Sequence, residues 1–341
     1  MKAIVLEQPG KLTLRDVAAP GAAGPEQALL RVKRVGICGT DLHAYGGNQN
    51  FFSYPRVMGH ELAVEVIDIG ATDANLAYEV GDYCCVIPYL NCGACIACRR
   101  GKSNCCAQMQ VLGVHIDGGM REQFSVPVDK LLKADGVPLE QLALVEMLCI
   151  GAHAAKRARI RPGENALVIG AGPIGLATAQ FAKIAGAEVM MMEVNQRRLD
   201  FCEEVLGIDK RIDARGDAIG QVKDMLGGEL PTLVFDCTGS AKSMHAAFEY
   251  AAHGGSLVLV GHITSDITFS DPHFHSHELT LLASRNATPA DFAWVIECLR
   301  AGAINLDPWI THEATPERIV ADFPTWLDPA TGVIKAMLRF D

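Results

Sequence analysis

Two sets of residues in this chain have the types and spacing of metal ligands. In the first, Cys92-Gly93-Ala94-Cys95-Ile96-Ala97-Cys98 is followed by Cys106, bringing four thiolates into one short stretch. The neighbours Arg99, Arg100, Lys102, Ser103 and Asn104 make that stretch a polar surface lobe, so the cysteines are not filling an apolar core. Disulfides and free thiols are the alternatives, and the two-residue spacers favour a metal over disulfide pairing. Zn²⁺ accepts four sulfurs in tetrahedral geometry, and such a closed site stabilises a lobe with little core of its own. It holds shape and performs no chemistry. Cys105 sits beside Cys106 as a rival fourth ligand, and the spacing selects Cys106.

The second set is dispersed over three glycine-flanked or polar segments: Gly36-Ile37-Cys38-Gly39-Thr40-Asp41-Leu42-His43, Gly59-His60-Glu61 and Val145-Glu146-Met147. A cysteine, a histidine and one or two carboxylates bind zinc through few enough protein ligands to leave a position open, which separates catalytic from structural sites. Each residue alone has an ordinary reading. Cys38 by itself is a small buried hydrophobe, and His60-Glu61 a surface pair.

A third feature is Gly170-Ala171-Gly172-Pro173-Ile174-Gly175, which follows the apolar run Ala166–Ile169 and opens a small-residue helix. A lone glycine-rich turn is weak evidence, but this one lies between a strand and a helix, with Glu193 at the end of the next strand. Gly170 permits the tight turn, Gly172 lets the backbone approach a pyrophosphate, and Gly175 lets the helix pack closely on the strand. The helix N-terminus offers free N–H groups to phosphates. Glu193 is placed to accept hydrogen bonds from both ribose hydroxyls and would repel a 2′-phosphate, so NAD is expected over NADP. Arg197 and Arg198, just downstream, keep a phosphate partner open.

Elements able to position these groups are legible in the hydrophobic pattern. The first 150 or so residues read as short strands such as Gln27–Val35 and Leu62–Ile69, broken by Gly and Pro. From about Leu142 a helix runs to Ala158. Strand candidates Glu188–Met192, Thr232–Asp236, Ser256–Val260 and Leu279–Ala283 then alternate with helices such as Arg197–Leu206 and Ala241–Ala251. That alternation predicts a doubly wound parallel sheet, an α/β fold. A helix follows Pro289, and Gly332–Phe340 closes the chain as a strand.

Composition narrows the function classes. The 341 residues, 49% hydrophobic and 21% charged, suffice for two domains with sizeable cores. A formal net charge of −10 without clustered Lys and Arg argues against nucleic-acid and anionic-membrane partners. The opening apolar run is too short for a signal peptide, and no segment reaches the roughly 18 apolar residues of a membrane span. The expectation is a cytoplasmic protein whose twelve cysteines are reduced.

Taken together, the stretches GICGTDLH, YPRVMGHE, CGACIACRRGKSNCC and GAGPIG, in that order, resemble the zinc-dependent medium-chain dehydrogenase/reductase family, which includes alcohol, sorbitol and threonine dehydrogenases. The resemblance spans essentially the whole chain. It implies a GroES-like, mostly β catalytic domain over 1–152 with a structural-zinc lobe at about 88–110. A Rossmann NAD-binding domain over 153–288 follows, and then a return to the catalytic domain over 289–341. It implies one catalytic and one structural Zn²⁺, NAD as cofactor, and a homodimer or homotetramer.

By the same resemblance, Cys38 and His60 are catalytic zinc ligands and Glu61 and Glu146 share the remaining coordination, with either one as the direct ligand. Thr40 matches the hydroxyl that accepts the substrate proton, and His43 the group that passes it to solvent by way of the cofactor ribose; positioning that ribose is the other role for His43. Pro173, Ile174, Arg198, Thr238 and Asn286 join the cofactor site. Liver-type alcohol dehydrogenases have cysteine where this chain has Glu146, which points to the polyol and threonine branch. Met147 replaces the proline common there. Less specific segments, Val111–Gly119, Ser284–Thr288, Ile310–His312 and Gly332–Lys335, resemble the sub-branch of L-galactonate 5-dehydrogenase and starvation-sensing proteins.

The substrate class is read from the residues expected around the zinc. Asn48, Gln49 and Asn50 precede Phe51 and Phe52 on a loop expected near it, and His115, Arg285 and Asn286 are candidates for further polar groups, each with a solvated surface role as the alternative and Arg285 open between a sugar-acid carboxylate and cofactor phosphate. Buried polar groups need hydrogen-bonding partners, so this lining suits a polyol, sugar or sugar acid better than ethanol. L-Threonine or a simple alcohol is the alternative substrate, and a metabolite-responsive regulator is the non-enzymatic alternative, against which the intact Cys38, Thr40, His43, His60 and Glu61 argue. His273, His275 and His277 alternate as in a strand with all three on one face. An exposed or interface strand is expected there in preference to a third metal site.

Overall fold

The computed structural model describes residues 1–49 and 52–340. The chain forms two compact units, Met1–Glu146 with Thr288–Asp341 and Met147–Ala287, so the first is built from both ends of the chain. The switch from one to the other falls inside the helix Val145–Ala158.

The first unit is mostly antiparallel β. Its main sheet places Lys335–Arg339 beside Gln27–Ile37, which in turn pairs with Glu61–Ile69. The 11-residue strand Gln27–Ile37 is the spine, buried along most of its length by Val, Leu and Ile side chains suited to a pleated surface. Its register sets the geometry that matters later: Gly36 lies opposite Glu61 and Ile37 opposite Ala336. The ends of three sheet neighbours are thereby gathered at one point. Ile4, Leu30, Val64, Phe124, Phe323 and Leu338 belong to the core that anchors them.

A short two-stranded stem, Tyr89–Leu90 against Gln110–Val111, carries the cysteine-rich lobe. The lobe holds only the four-residue helix Ile96–Arg99 and a single 3₁₀ turn, Ser103–Cys105. Ile96 is 62% exposed, so the lobe has little apolar core to hold it.

The second unit is the expected doubly wound sheet, six parallel strands in spatial order Arg211–Asp213, Glu188–Glu193, Asn165–Ile169, Leu233–Asp236, Ser256–Leu259 and Thr280–Ala283. Asn165–Ile169 is central and buried, as its continuous apolar run requires. Leu167, Met190, Val234 and Phe248 are among the side chains of its core.

One expectation fails. His273, His275 and His277 do not lie on a strand; Asp271–Ser276 is a short helix ending at His277. Ser270 caps it by accepting from the His273 amide, and Pro272 occupies its first turn, a start signal that outweighs the alternating pattern. The helical spacing stacks the His277 ring on His273, with centroids 4.0 Å apart, and His277 also stacks on His253 at 3.8 Å. No described helix is long and apolar enough to cross a membrane.

Candidate active site and cofactor cradle

The strand ends described above converge on a donor set in which His60 and Glu61 are buried and Cys38 half-buried. Cys38 follows the spine strand and precedes the helix Gly39–Tyr45, His60 immediately precedes the strand Glu61–Ile69, and Glu61 begins it. The ligand atoms of Cys38, His60 and Glu61 all lie within 4.8 Å of one another. Glu146, in the first turn of Val145–Ala158, is buried but stands outside that trio, and its Oε1 accepts the Tyr89 hydroxyl.

Electrostatics supports a cation there. Burial works against the His60 imidazolium, yet the charges of Cys38, Asp41 and Glu146 raise its pKa well above the usual value. Glu146 and Asp41 are both raised, chiefly by burial, with the charge of Glu61 adding to it. His60 Nδ1 and Glu61 Oε2 are buried without a hydrogen-bond partner. Unpaired buried polar atoms of this kind carry a desolvation cost that a metal bond would remove. One soft sulfur, one imidazole and one carboxylate oxygen fit Zn²⁺ with room for a further ligand.

Three neighbours that shape this site were not picked out from the sequence. Asp41 is fully buried, and its Oδ2 accepts from the Cys38 amide at 2.9 Å, fixing the start of the Gly39–Tyr45 helix. Lys335 Nζ donates to Glu61 Oε1 at 2.6 Å and to the Ile37 carbonyl at 3.0 Å. Tyr89 holds Glu146 as described. A lone lysine in the apolar run Ile334–Leu338 was the available signal for Lys335.

Thr40 and His43 sit three residues apart on one face of the helix after Cys38, Thr40 half-buried and His43 exposed. Asn48 is exposed in the loop beyond, while Asn50 and Phe51 lie outside the described residues. His115 is half-buried, and its Nδ1 accepts from the Val111 amide at 3.1 Å. Arg285, exposed, and Asn286, with φ of +49°, belong to the second unit.

The cysteine lobe brings Cys92, Cys95, Cys98 and Cys106 together; Cys105 is exposed and outside the cluster. Sulfur separations are 3.5 Å for Cys95–Cys98, 3.5 Å for Cys92–Cys106 and 4.0 Å for Cys95–Cys106. Tetrahedral zinc with bonds of about 2.3 Å requires sulfurs roughly 3.8 Å apart. Backbone amides of Cys92 and Gln108 point at Cys106 Sγ, at 3.2 and 3.3 Å. Amides near Ala107 and Cys98 lower the Cys95 thiol, while burial and the neighbouring thiols raise Cys98.

In the second unit the strand Asn165–Ile169 ends at Gly170, with φ of +96°, and Gly172 caps the helix Pro173–Ile184. A Cβ on Gly175 would stand 1.7 Å from the Gly170 carbonyl oxygen, so only glycine lets the helix approach this closely. A cavity of about 440 Å³ opens beside the turn, lined by Gly172, Glu193, Arg198, Thr238 and Ser243 among others. Glu193 is anchored in it, its Oε2 accepting from Ala171 N at 2.8 Å and its Oε1 from Val194 N at 2.8 Å and Asn195 N at 3.0 Å. Thr238 donates its hydroxyl to Asp236 at 2.7 Å. Arg198 lies over the glycine turn, its Nη1 3.8 Å from where a Gly172 Cβ would be, whereas Arg197 is exposed and does not line the cavity.

Comparison with known proteins agrees with both halves. Residues 24–136 match the alcohol dehydrogenase GroES-like domain, and residues 173–301 match the zinc-binding dehydrogenase model. The chain is 43% identical over 312 residues to the L-galactonate-5-dehydrogenase of Escherichia coli K12, covering 92% of this chain and 91% of that one. The alcohol dehydrogenase rspB of E. coli CFT073, crystallised with NADH, superposes with a TM-score of 0.92 at 28% identity, covering 100% of this chain and 99% of that one. A zinc-binding dehydrogenase of Sinorhizobium meliloti 1021, bound to NADP, superposes at 0.90 with 26% identity and 99% coverage of both chains.

Proposed function

The chain belongs to the zinc-dependent medium-chain dehydrogenase/reductase family, and from that premise we propose that it oxidises a secondary hydroxyl of a polyol, sugar or sugar acid such as L-galactonate to the ketone, with NAD as hydride acceptor. The observation that carries the reading is the trio of half-buried Cys38 with buried His60 and Glu61, close enough to share one ion, with the buried carboxylate Glu146 where a second sulfur would otherwise stand.

Zinc held by Cys38 and His60, with Glu61 or Glu146 completing the protein ligands, supplies the positive charge that lowers a substrate hydroxyl's pKa. Thr40 would accept that proton at its hydroxyl as it passes its own on, and His43, exposed on the same helix face, would hand a proton to water. Asn48 and His115 are assigned to the neighbouring substrate hydroxyls. A hydroxyl next to the reacting one that is also hydrogen-bonded orients the carbon losing hydride, which is the advantage of a polyhydroxylated substrate over ethanol. Glu193 favours NAD, and Arg198, over the glycine turn, is assigned to the pyrophosphate. The second zinc holds the lobe of Cys92, Cys95, Cys98 and Cys106.

NAD reduction measured across sugar acids, polyols, aldoses, L-threonine and simple alcohols tests the proposal. A sugar acid or polyol oxidised much faster than ethanol is the expected result. Ethanol or L-threonine as the best substrate, with polyhydroxylated compounds inert, would overturn the substrate assignment.

A further inference from the structure

Lys335 is 2% exposed, and its ammonium reaches only one of the two Glu61 oxygens, Oε1 at 2.6 Å, while Oε2 is buried with no hydrogen-bond partner. Lys335 is also tied to the carbonyl of Ile37, one residue before Cys38, at 3.0 Å. A lysine has no reason to be buried at the start of an apolar strand unless its charge is used, because burying it carries a desolvation cost that only a partner offsets. Its neighbours Cys38, Glu61, Asp41 and Glu146 are all acidic groups, so Lys335, which is not itself a metal donor, offsets negative charge that this cluster offers a metal.

We propose that Lys335 is a positioning residue that divides Glu61 between itself and the metal. Its ammonium keeps Oε1 engaged and presents Oε2 alone, so Glu61 binds weakly enough for a ligand position to stay free for the substrate oxygen. Neutralising residue 335 would release both oxygens to the metal and raise the negative charge of the donor set. Zinc would then be held more tightly and the free position lost. The inference rests on reading Cys38, His60 and Glu61 as a zinc site.

The test is the rate at which a chelator in excess extracts zinc from the folded full-length chain, followed as released metal. Lys335→Met, which keeps the aliphatic stem, should slow extraction from this site about tenfold or more, and Lys335→Arg should return it towards the wild-type rate. Lys335→Leu, which likewise removes every N–H donor to Glu61, provides the same comparison if the methionine variant does not fold. In a Glu61→Gln background the slowing should vanish, because Lys335 acts through Glu61. Unchanged or faster extraction in the neutral variants would overturn the proposal, as would equal slowing in the Glu61→Gln background. Failure of the underlying zinc reading has a separate signature, a zinc content that Cys38→Ser leaves unchanged.

Discussion

Glu61 occupies its buried place because Gly36, opposite it in register, has no side chain: a Cβ on Gly36 would stand 2.1 Å from Glu61 Oε2 and 2.8 Å from Leu144 Cδ2. The spine strand therefore has a gap in its side-chain cover at the point where the carboxylate turns in. Gly36 has ordinary negative φ, so space and not backbone conformation demands the glycine. Gly36→Ala should drive Glu61 out of line with Cys38 and His60, at a cost of about 1–3 kcal/mol for the overpacked methyl. Denaturant unfolding would read the stability loss and metal analysis a fall in zinc content. An alanine variant with wild-type zinc and stability would show that Leu144 and Glu61 relax freely.

Purified protein should contain two zinc ions per chain, one for each donor cluster. Cys38→Ser should remove one of them and abolish activity with little effect on folding. Cys95→Ser or Cys98→Ser should instead unfold the lobe, which has only its two-stranded stem and two single turns without metal. Cys105→Ser should change neither zinc content nor activity, since its sulfur is exposed and outside the cluster. Zinc content and susceptibility of the lobe to proteolysis distinguish these cases.

The parts legible in the sequence were those with local signatures. The parallel sheet shows as apolar runs such as Ala166–Ile169, and the glycine turn and the cysteine spacing are read within a few residues of chain. Lys335 and Asp41 escaped because their meaning is set by pairings far apart in sequence. Lys335 meets Glu61 only once the last strand returns to lie beside the spine. Asp41 reads as an ordinary first-turn acid until its burial among Cys38, His60 and Glu61 is known. At His273–His277 two local signals conflicted, and the cap at Ser270 with Pro272 decided the outcome.

Thiol chemistry should divide the twelve cysteines by environment. Burial pushes Cys84 and Cys202 up to about 12, and it raises Cys85 as well. At pH 8 a thiol of pKa about 12 is thiolate in roughly one molecule in ten thousand, so these should be inert to alkylation in the native chain. Exposed Cys105 should react first, and Cys105→Ser should remove that fast phase. The pH dependence has a definite sign. A buried thiol raised from about 9 to about 12 contributes its full stability below pH 9 and loses it as the pH rises towards 12, so alkaline unfolding should expose these cysteines to reagent. Rapid labelling of Cys84 or Cys202 at neutral pH would contradict this.

Under the proposed function cofactor choice should turn on Glu193, whose carboxylate is fixed by three backbone amides, one of them, Ala171, inside the glycine turn itself. Wild-type catalytic efficiency should be higher with NAD than with NADP. Glu193→Ala should narrow that gap in two ways, by removing the acceptor for the ribose hydroxyls and by removing the charge that repels a 2′-phosphate. The same variant also frees the Ala171 amide, so affinity for both cofactors should fall. Glu193→Gln keeps an oxygen acceptor and should hold the turn better, separating the loss of charge from the loss of anchoring. Arg198→Ala should weaken both cofactors alike if its guanidinium serves the pyrophosphate, and NADP alone if it serves a 2′-phosphate; its place over Gly172 favours the first. Steady-state kinetics with both cofactors reads all three variants. Equal use of NAD and NADP by the wild type would remove Glu193 from the discriminating role.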